Sequence, residues 1–347
     1  MFLQNIEKIL ANEPKFRLKQ ANQAIYVDLI SSWDKATIFP NGLREKLNKE
    51  YPLEIKAKLL EEKDGKSAKA LIYLKDELKV ETVLMRHKGR NTVCVSSQVG
   101  CPMGCTFCAT GNIGFERNLN WEEIIMQVLY FARYLKKIDE KIDNIVFMGM
   151  GEPLLNYEEV IATIRILNNK DKFNIGSRKI SISTCGIPEG IRRLIEEDKQ
   201  FNLALSLHAP NDRLRSQLMP VNINYPIDKI MNALKEYIKE TNRKVMIEYV
   251  MLKDINDSQD MARELARLLK NKLKNLFFVN LISYNKFAEG ADQPAGEAGK
   301  TGKFEPSEEK QVGKFRKVLE DLNITVTERY RLGRDIKGAC GQLAGKR

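Results

Sequence analysis

Apolar positions recur along this chain in two rhythms. In residues 1–50 the period is helical: Ile6, Ile9 and Leu10 form one stripe, and Ala21, Ile25, Leu29 and Ile30 a second. Pro40 and Gly42 break the pattern before another short helix that ends near Tyr51. From about residue 53 to 99 the pattern becomes strand-like, in EIKAKLL, KALIYL, VETVLM and NTVCVSS. Turn-forming Asp64-Gly65-Lys66 and His87-Lys88-Gly89 lie between these segments.

Beyond residue 100 strands and helices alternate. Helices expected at roughly 121–137, 157–168, 189–196, 226–240 and 257–270 are interleaved with the strands NIVFMGM, KISISTC, FNLALSLH, KVMIEYVML and NLFFVNLIS. This alternation indicates βαβ units and a parallel sheet. Near-continuous apolar strands fit a sheet covered on both faces. Six such units would close part of a barrel, a partial (β/α)6 architecture with its active site at the C-terminal strand ends. Residues 286–306, rich in Gly, Ala and Pro, read as a long loop before a helix near 307–322 and the strand NITVTER. The expected organisation is a small helical domain over 1–52, a β extension over 53–90, an α/β core over 91–330 and an aperiodic basic tail over 331–347.

Apolar residues make up 43% of the chain and charged residues 30%, so a globular protein with a sizeable core is expected. The net charge of +11 fits a polyanionic partner and, equally, a well-solvated basic face. No apolar run is long enough for a membrane span. Glu7, Lys8 and Glu13 stand where a signal peptide would need an apolar stretch. A cytoplasmic location with reduced thiols is therefore expected. The six cysteines, at 94, 101, 105, 108, 185 and 340, are then metal ligands or reactive thiols rather than staples.

The densest chemical signal is Cys101-Pro-Met-Gly-Cys105-Thr-Phe-Cys108, directly after a strand. Thiolates are soft ligands suited to iron–sulfur clusters and to zinc. A closed zinc site needs a fourth ligand, which Cys94 or a His could supply; three ligands on a four-iron cluster leave one iron open. The C-x3-C-x2-C spacing, with Phe107 before the last cysteine, resembles the radical S-adenosylmethionine (SAM) superfamily. Phe147-Met-Gly-Met-Gly-Glu-Pro153, Ser183-Thr-Cys185-Gly186, Leu205-Ser-Leu-His-Ala-Pro-Asn211 and Ile282-Ser-Tyr-Asn285 each end a strand. With Val93-Cys-Val-Ser-Ser-Gln98 and Ala339-Cys-Gly-Gln-Leu343 they resemble the adenine carbon-2 methyltransferases of the RlmN type, which act on 23S rRNA and tRNA.

The resemblance implies a 4Fe-4S cluster on Cys101, Cys105 and Cys108, with SAM on the open iron as the source of a 5′-deoxyadenosyl radical. It assigns Gly151, Glu152, Ser183, Ser206, Leu207, His208 and Asn285 to SAM binding. Read physically, Gly149 and Gly151 let backbone approach a ligand closely, and Glu152 can accept bonds from an ammonium. Cys340 lies in a glycine-flanked tail suited to mobility, with Arg331, Arg334 and Lys337 nearby to favour its thiolate. The resemblance makes Cys340 the residue methylated by a first SAM; a radical from a second SAM then converts that methyl group into the attacking carbon. It makes Cys94 the thiol that releases the RNA adduct by forming a disulfide with Cys340, and Glu81 the acceptor of the carbon-2 proton. Cys185 is expected as a small core or pocket-lining residue.

The implied partners are 23S rRNA, tRNA and an electron donor such as flavodoxin or ferredoxin. The basic excess in residues 1–90 and in the tail supplies the RNA-facing surface. Two departures from the family pattern stand out: Lys286 where a proline usually follows the residue matching Asn285, and a longer 286–306 loop. Two other readings compete. One is the related Cfr-type carbon-8 methyltransferase, disfavoured because Gly151-Glu152 is followed by Pro153 rather than Ala. The other is a non-catalytic RNA-binding module built on zinc.

Overall fold

The helical period of the first fifty residues folds as α1 (Leu3–Ile9), α2 (Phe16–Asn22), a π-helical turn, a 3-10 turn and α3 (Asn41–Glu50). Trp33 is the centre of this unit: it is fully buried, its Nε1 donates to the Tyr51 carbonyl at 2.7 Å, and Phe39 packs edge-on against it. The structure is a computed structural model that describes residues 3–197, 199–274, 276–286, 304–329, 333 and 335–345.

The strand-like segments form an antiparallel meander of β1 (Ala57–Glu61), β2 (Ser67–Tyr73), β3 (Lys79–His87) and β4 (Arg90–Cys94). A two-stranded ribbon, β5 (Gln98–Gly100) and β6 (Phe115–Asn118), then brackets the single turn α4 (Ala109–Asn112). The alternating region follows as α5 (Trp121–Lys136), β7 (Asn144–Phe147), α6 (Tyr157–Asn168), β8 (Ile180–Thr184), α7 (Pro188–Arg193) and β9 (Asn202–Ser206). It continues through α8 (Asp212–Leu218), α9 (Ile227–Thr241), β10 (Val245–Met251), α10 (Gln259–Leu273), β11 (Phe277–Ser283), α11 (Glu309–Asp321) and β12 (Val326–Glu328).

Among the described residues the main sheet has 10 strands in the order β1-β2-β3-β4-β7-β8-β9-β10-β11-β12. From β4 onward every pairing is parallel. The β extension therefore continues the core sheet edge to edge. Ile145, Ile182, Leu203, Leu205, Ile247 and Val279 are buried on these strands, and Ile124, Val128, Phe131 and Leu135 of α5 are buried at helical spacing. Asn120 starts α5 with a capping box, its side chain accepting from the Glu123 N–H at 2.9 Å while Glu123 accepts from the Asn120 N–H at 3.0 Å. This is the expected α/β architecture: a partial barrel with a helical N-terminal unit and a β extension.

Short elements escaped the periodicity reading: β5, β6, α4 and α8 are each too brief for a period to show. The helix expected at 189–196 is α-helical only to Arg193 and ends in a 3-10 turn, Leu194–Glu196. Most of the Gly-rich loop (287–303), together with Arg331 and Arg334, lies outside the described residues. Among the described residues no helix is long and apolar enough to cross a membrane.

Candidate active site

The cysteine loop runs from β5 to α4, and its three thiols are half-buried. Burial pushes the Cys101 thiol up to about 12 and raises Cys105 and Cys108 as well. The N–H groups of Thr110 and Gly111 face the Cys108 sulfur and partly offset its desolvation. Among the described residues no three Cys, His, Asp or Glu side chains converge on a single metal ion. A four-iron cluster spreads its ligands more widely than one ion does, and three soft donors on one short loop fit that group.

Opposite the loop lie the C-terminal ends of β7–β10. Glu152 is buried; Oε1 accepts from the Leu154 N–H at 3.0 Å and Oε2 from the Cys185 N–H at 2.7 Å. Burial raises its carboxyl above the ordinary range, and these two bonds partly restore it. The glycines before it lie close against the chain that follows β4. A Cβ on Gly149 would stand 2.7 Å from Ser96 Oγ, and one on Gly151 (φ +101°) would stand 2.6 Å from Gln98 Cβ. Both glycines admit a close approach of residues 95–98.

Ser183 Oγ donates to Glu248 Oε2 at 2.8 Å, and Ser206 Oγ lies 3.3 Å from Ser183 Oγ. Leu207 is fully buried and offers its N–H to the Glu248 carbonyl at 3.1 Å. His208 takes a left-handed φ of 60°, accepts the Val250 N–H on Nδ1 at 3.1 Å, and receives the Phe107 ring edge-on. Burial first, and the Arg215 cation second, hold its imidazole down to about 3, so the ring is neutral. Arg215 is itself fully buried and donates to the carbonyls of Leu207, Cys185 and Ser206, which ties the ends of β8 and β9 together.

A cavity of about 100 Å³ brings together Cys94, Cys108, Asn285, Arg329 and Cys340. Cys94 and Cys340 are free thiols. Burial, with the Cys340 charge adding to it, pushes Cys94 up to about 12. Among the described residues the cation at Cys340 is Arg329, just after β12; Arg331 and Arg334, which the sequence singled out, lie outside the described residues. Its Nη1 donates to Cys340 Sγ at 3.1 Å, and its Nη2 lies 3.4 Å from Glu248 Oε1.

The tail is also more tightly held than its glycines implied. The Ala109 N–H donates to the Gly341 carbonyl at 2.7 Å, Thr110 Oγ1 to the Leu343 carbonyl at 2.6 Å, and Asn285 Nδ2 to the Cys340 carbonyl at 3.3 Å. Glu81 is buried and is not among the residues lining the cavity. It pairs with Lys69 at 2.7 Å and accepts the Ala344 N–H at 2.7 Å. Cys185 is buried in the core with its sulfur 3.1 Å from Met103 Sδ.

Four buried or half-buried charges were not anticipated: Lys69, Arg215, Glu248 and Arg329. Lys69 and Glu248 did leave a trace, each being a lone charge inside an otherwise apolar strand.

Comparison with known proteins agrees with this geometry. Residues 95–268 match the Radical SAM superfamily. A probable dual-specificity RNA methyltransferase RlmN of Dictyoglomus thermophilum is 44% identical over 331 residues, covering 95% of this chain and 91% of that protein. The protein of the same description from Carboxydothermus hydrogenoformans is 43% identical, covering 99% and 97%. The crystal structure of a radical SAM methyltransferase from Sphaerobacter thermophilus superposes with a TM-score of 0.91 at 40% identity, over 100% of this chain and 98% of that one. That family uses a 4Fe-4S cluster and SAM, and it excludes the non-catalytic zinc module. The chain belongs to the RlmN family of RNA methyltransferases within the radical SAM superfamily.

Proposed function

We propose that the protein methylates carbon 2 of an adenosine in 23S rRNA at the peptidyl-transferase centre, and of the adenosine beside the anticodon in tRNA, in the cytoplasm. The observation that carries the reading is the shared cavity: Cys340, Cys94 and the cluster-loop Cys108 open onto one space. Cys101, Cys105 and Cys108 would hold the cluster, and Gly151, Glu152, Ser183, Ser206, Leu207, His208 and Asn285 would bind SAM. When bound, these cofactors supply a 5′-deoxyadenosyl radical, chemistry that no side chain provides, with flavodoxin or ferredoxin as the electron source.

The side chains do the rest. Carbon 2 of adenine is electrophilic, so a methyl cation does not transfer to it directly. Cys340 Sγ therefore takes up the methyl group first, and Arg329 orients that sulfur. The carbon then adds to the base while still attached to Cys340. The unpaired electron left by that addition would return to the cluster, and Glu81 takes the carbon-2 proton. The Cys94 thiolate then attacks the Cys340 sulfur, and the carbon–sulfur bond breaks with its electron pair on the carbon. That carbon takes a proton to become the methyl group, and a Cys94–Cys340 disulfide is left. Neutral His208 keeps a positive charge away from the cationic sulfonium of SAM. An unpaired or flipped-out adenosine is required, because carbon 2 lies on the Watson–Crick edge.

Anaerobic incubation of the reconstituted protein with SAM, a reductant and rRNA or tRNA fragments tests this. Mass spectrometry should find the methyl group on carbon 2, and Cys340→Ala should abolish it. A methyl group on carbon 8 would instead establish the Cfr-type reading.

A further inference from the structure

The loop that carries Cys340 is gripped on both sides by one buried ion pair. Lys69 on β2 and Glu81 on β3 sit diagonally across adjacent antiparallel strands, Lys69 opposite Val83 and Glu81 opposite Leu71. This places both side chains on one face of the sheet. They are 5% and 2% exposed, with Lys69 Nζ 2.7 Å from Glu81 Oε1. Lys69 Nζ also donates to the Lys337 carbonyl at 3.1 Å. Glu81 Oε2 accepts the N–H groups of Ala344 at 2.7 Å and Gly345 at 3.2 Å. The pair thus binds tail backbone on either side of Cys340.

As a stability device, an ion pair buried between strands gains little over two apolar side chains of the same size. As a clamp on a carbonyl and two amides it does what no apolar pair can. We propose that Lys69 is a positioning residue: with Glu81 it forms a latch that sets the Cys340 loop against the cavity and keeps the Glu81 carboxylate engaged until the loop lifts. The second half rests on the reading of Glu81 as proton acceptor. In the latched state the carboxylate holds the tail and does not line the cavity, so it meets the adduct only after Ala344 and Gly345 let go. The proton then passes from carbon 2 to a Glu81 oxygen, and its bonding pair stays with the base. The neutral carboxyl no longer pairs with Lys69, so the latch stays open while Cys94 attacks.

Amide exchange on peptides covering residues 338–345, measured on the reconstituted full chain, tests the latch. In Lys69→Met the tail amides should exchange about tenfold faster or more, the loss of a charge-assisted contact. The kcat for RNA methylation should fall while KM for RNA holds, and Lys69→Arg should restore both. Because Lys69→Met leaves a lone buried carboxylate, Lys69→Met with Glu81→Gln is the second variant. It should show native exchange in β2 and β3 and the same fast tail. Native tail protection in both variants would overturn the latch, and a fast tail with unchanged kcat in Lys69→Met would overturn the positioning role. If the native protein methylates no adenosine, the functional reading fails, and the exchange result still judges the latch separately.

Discussion

His208 offers a quantitative check on how the sheet edge is built. Its imidazole is 6% exposed, Nδ1 accepts the Val250 N–H, and burial with the Arg215 charge holds its pKa to about 3. In the unfolded chain the same group titrates near about 6.5. The folded value is the lower one, so the unfolded chain takes up the proton first as pH falls, and stability is lost in that direction. From about pH 7.5 to about pH 5 the linked loss is about 2 kcal/mol. That figure barely moves if the folded value is one unit higher, because the folded ring is neutral at either pH. His208→Asn isolates the effect: Asn keeps an acceptor, tolerates the φ of 60° and does not titrate. Urea denaturation of cluster-free native protein and variant at both pH values is the assay. The native chain should lose about 2 kcal/mol more than the variant. Equal losses would refute the reasoning, since the ring would then be protonated inside the fold.

Four further outcomes are expected. Gly151→Ala forces a side chain into a left-handed backbone against Gln98 and should cost about 2–5 kcal/mol by denaturation. Gly42→Ala, with open space and an ordinary backbone, should shift stability by less than about 1 kcal/mol. Arg329→Met removes the donor to Cys340 Sγ and should slow methyl loading of that cysteine about tenfold or more, read by intact mass against time. Cys94→Ser leaves no thiol to release the adduct, so labelled RNA should stay bound to the protein through denaturing electrophoresis; normal turnover would remove the resolving role.

The strands and the long helices were legible because each carries a full period of buried positions, as Ile124 to Leu135 of α5 or Leu203 to Leu205 of β9 do. The cysteine triad was legible for another reason: its ligands are neighbours in sequence. The tail was not. Its grip depends on Lys69, Glu81, Thr110 and Asn285, which lie 55 to 268 positions away in sequence, and no local pattern records such pairings. Gly149 and Gly151 were legible only in part: a glycine reports a close approach without saying whose, and residues 95–98 come near both.

The proposed chemistry requires Cys340 to carry the transferred carbon. The mass of the Cys340 peptide, after anaerobic incubation of the reconstituted protein with SAM and before any RNA is added, tests that most directly. One added methyl group on Cys340, lost on a single round with RNA, is the predicted result. An unmodified Cys340 in protein that nonetheless methylates RNA would contradict it.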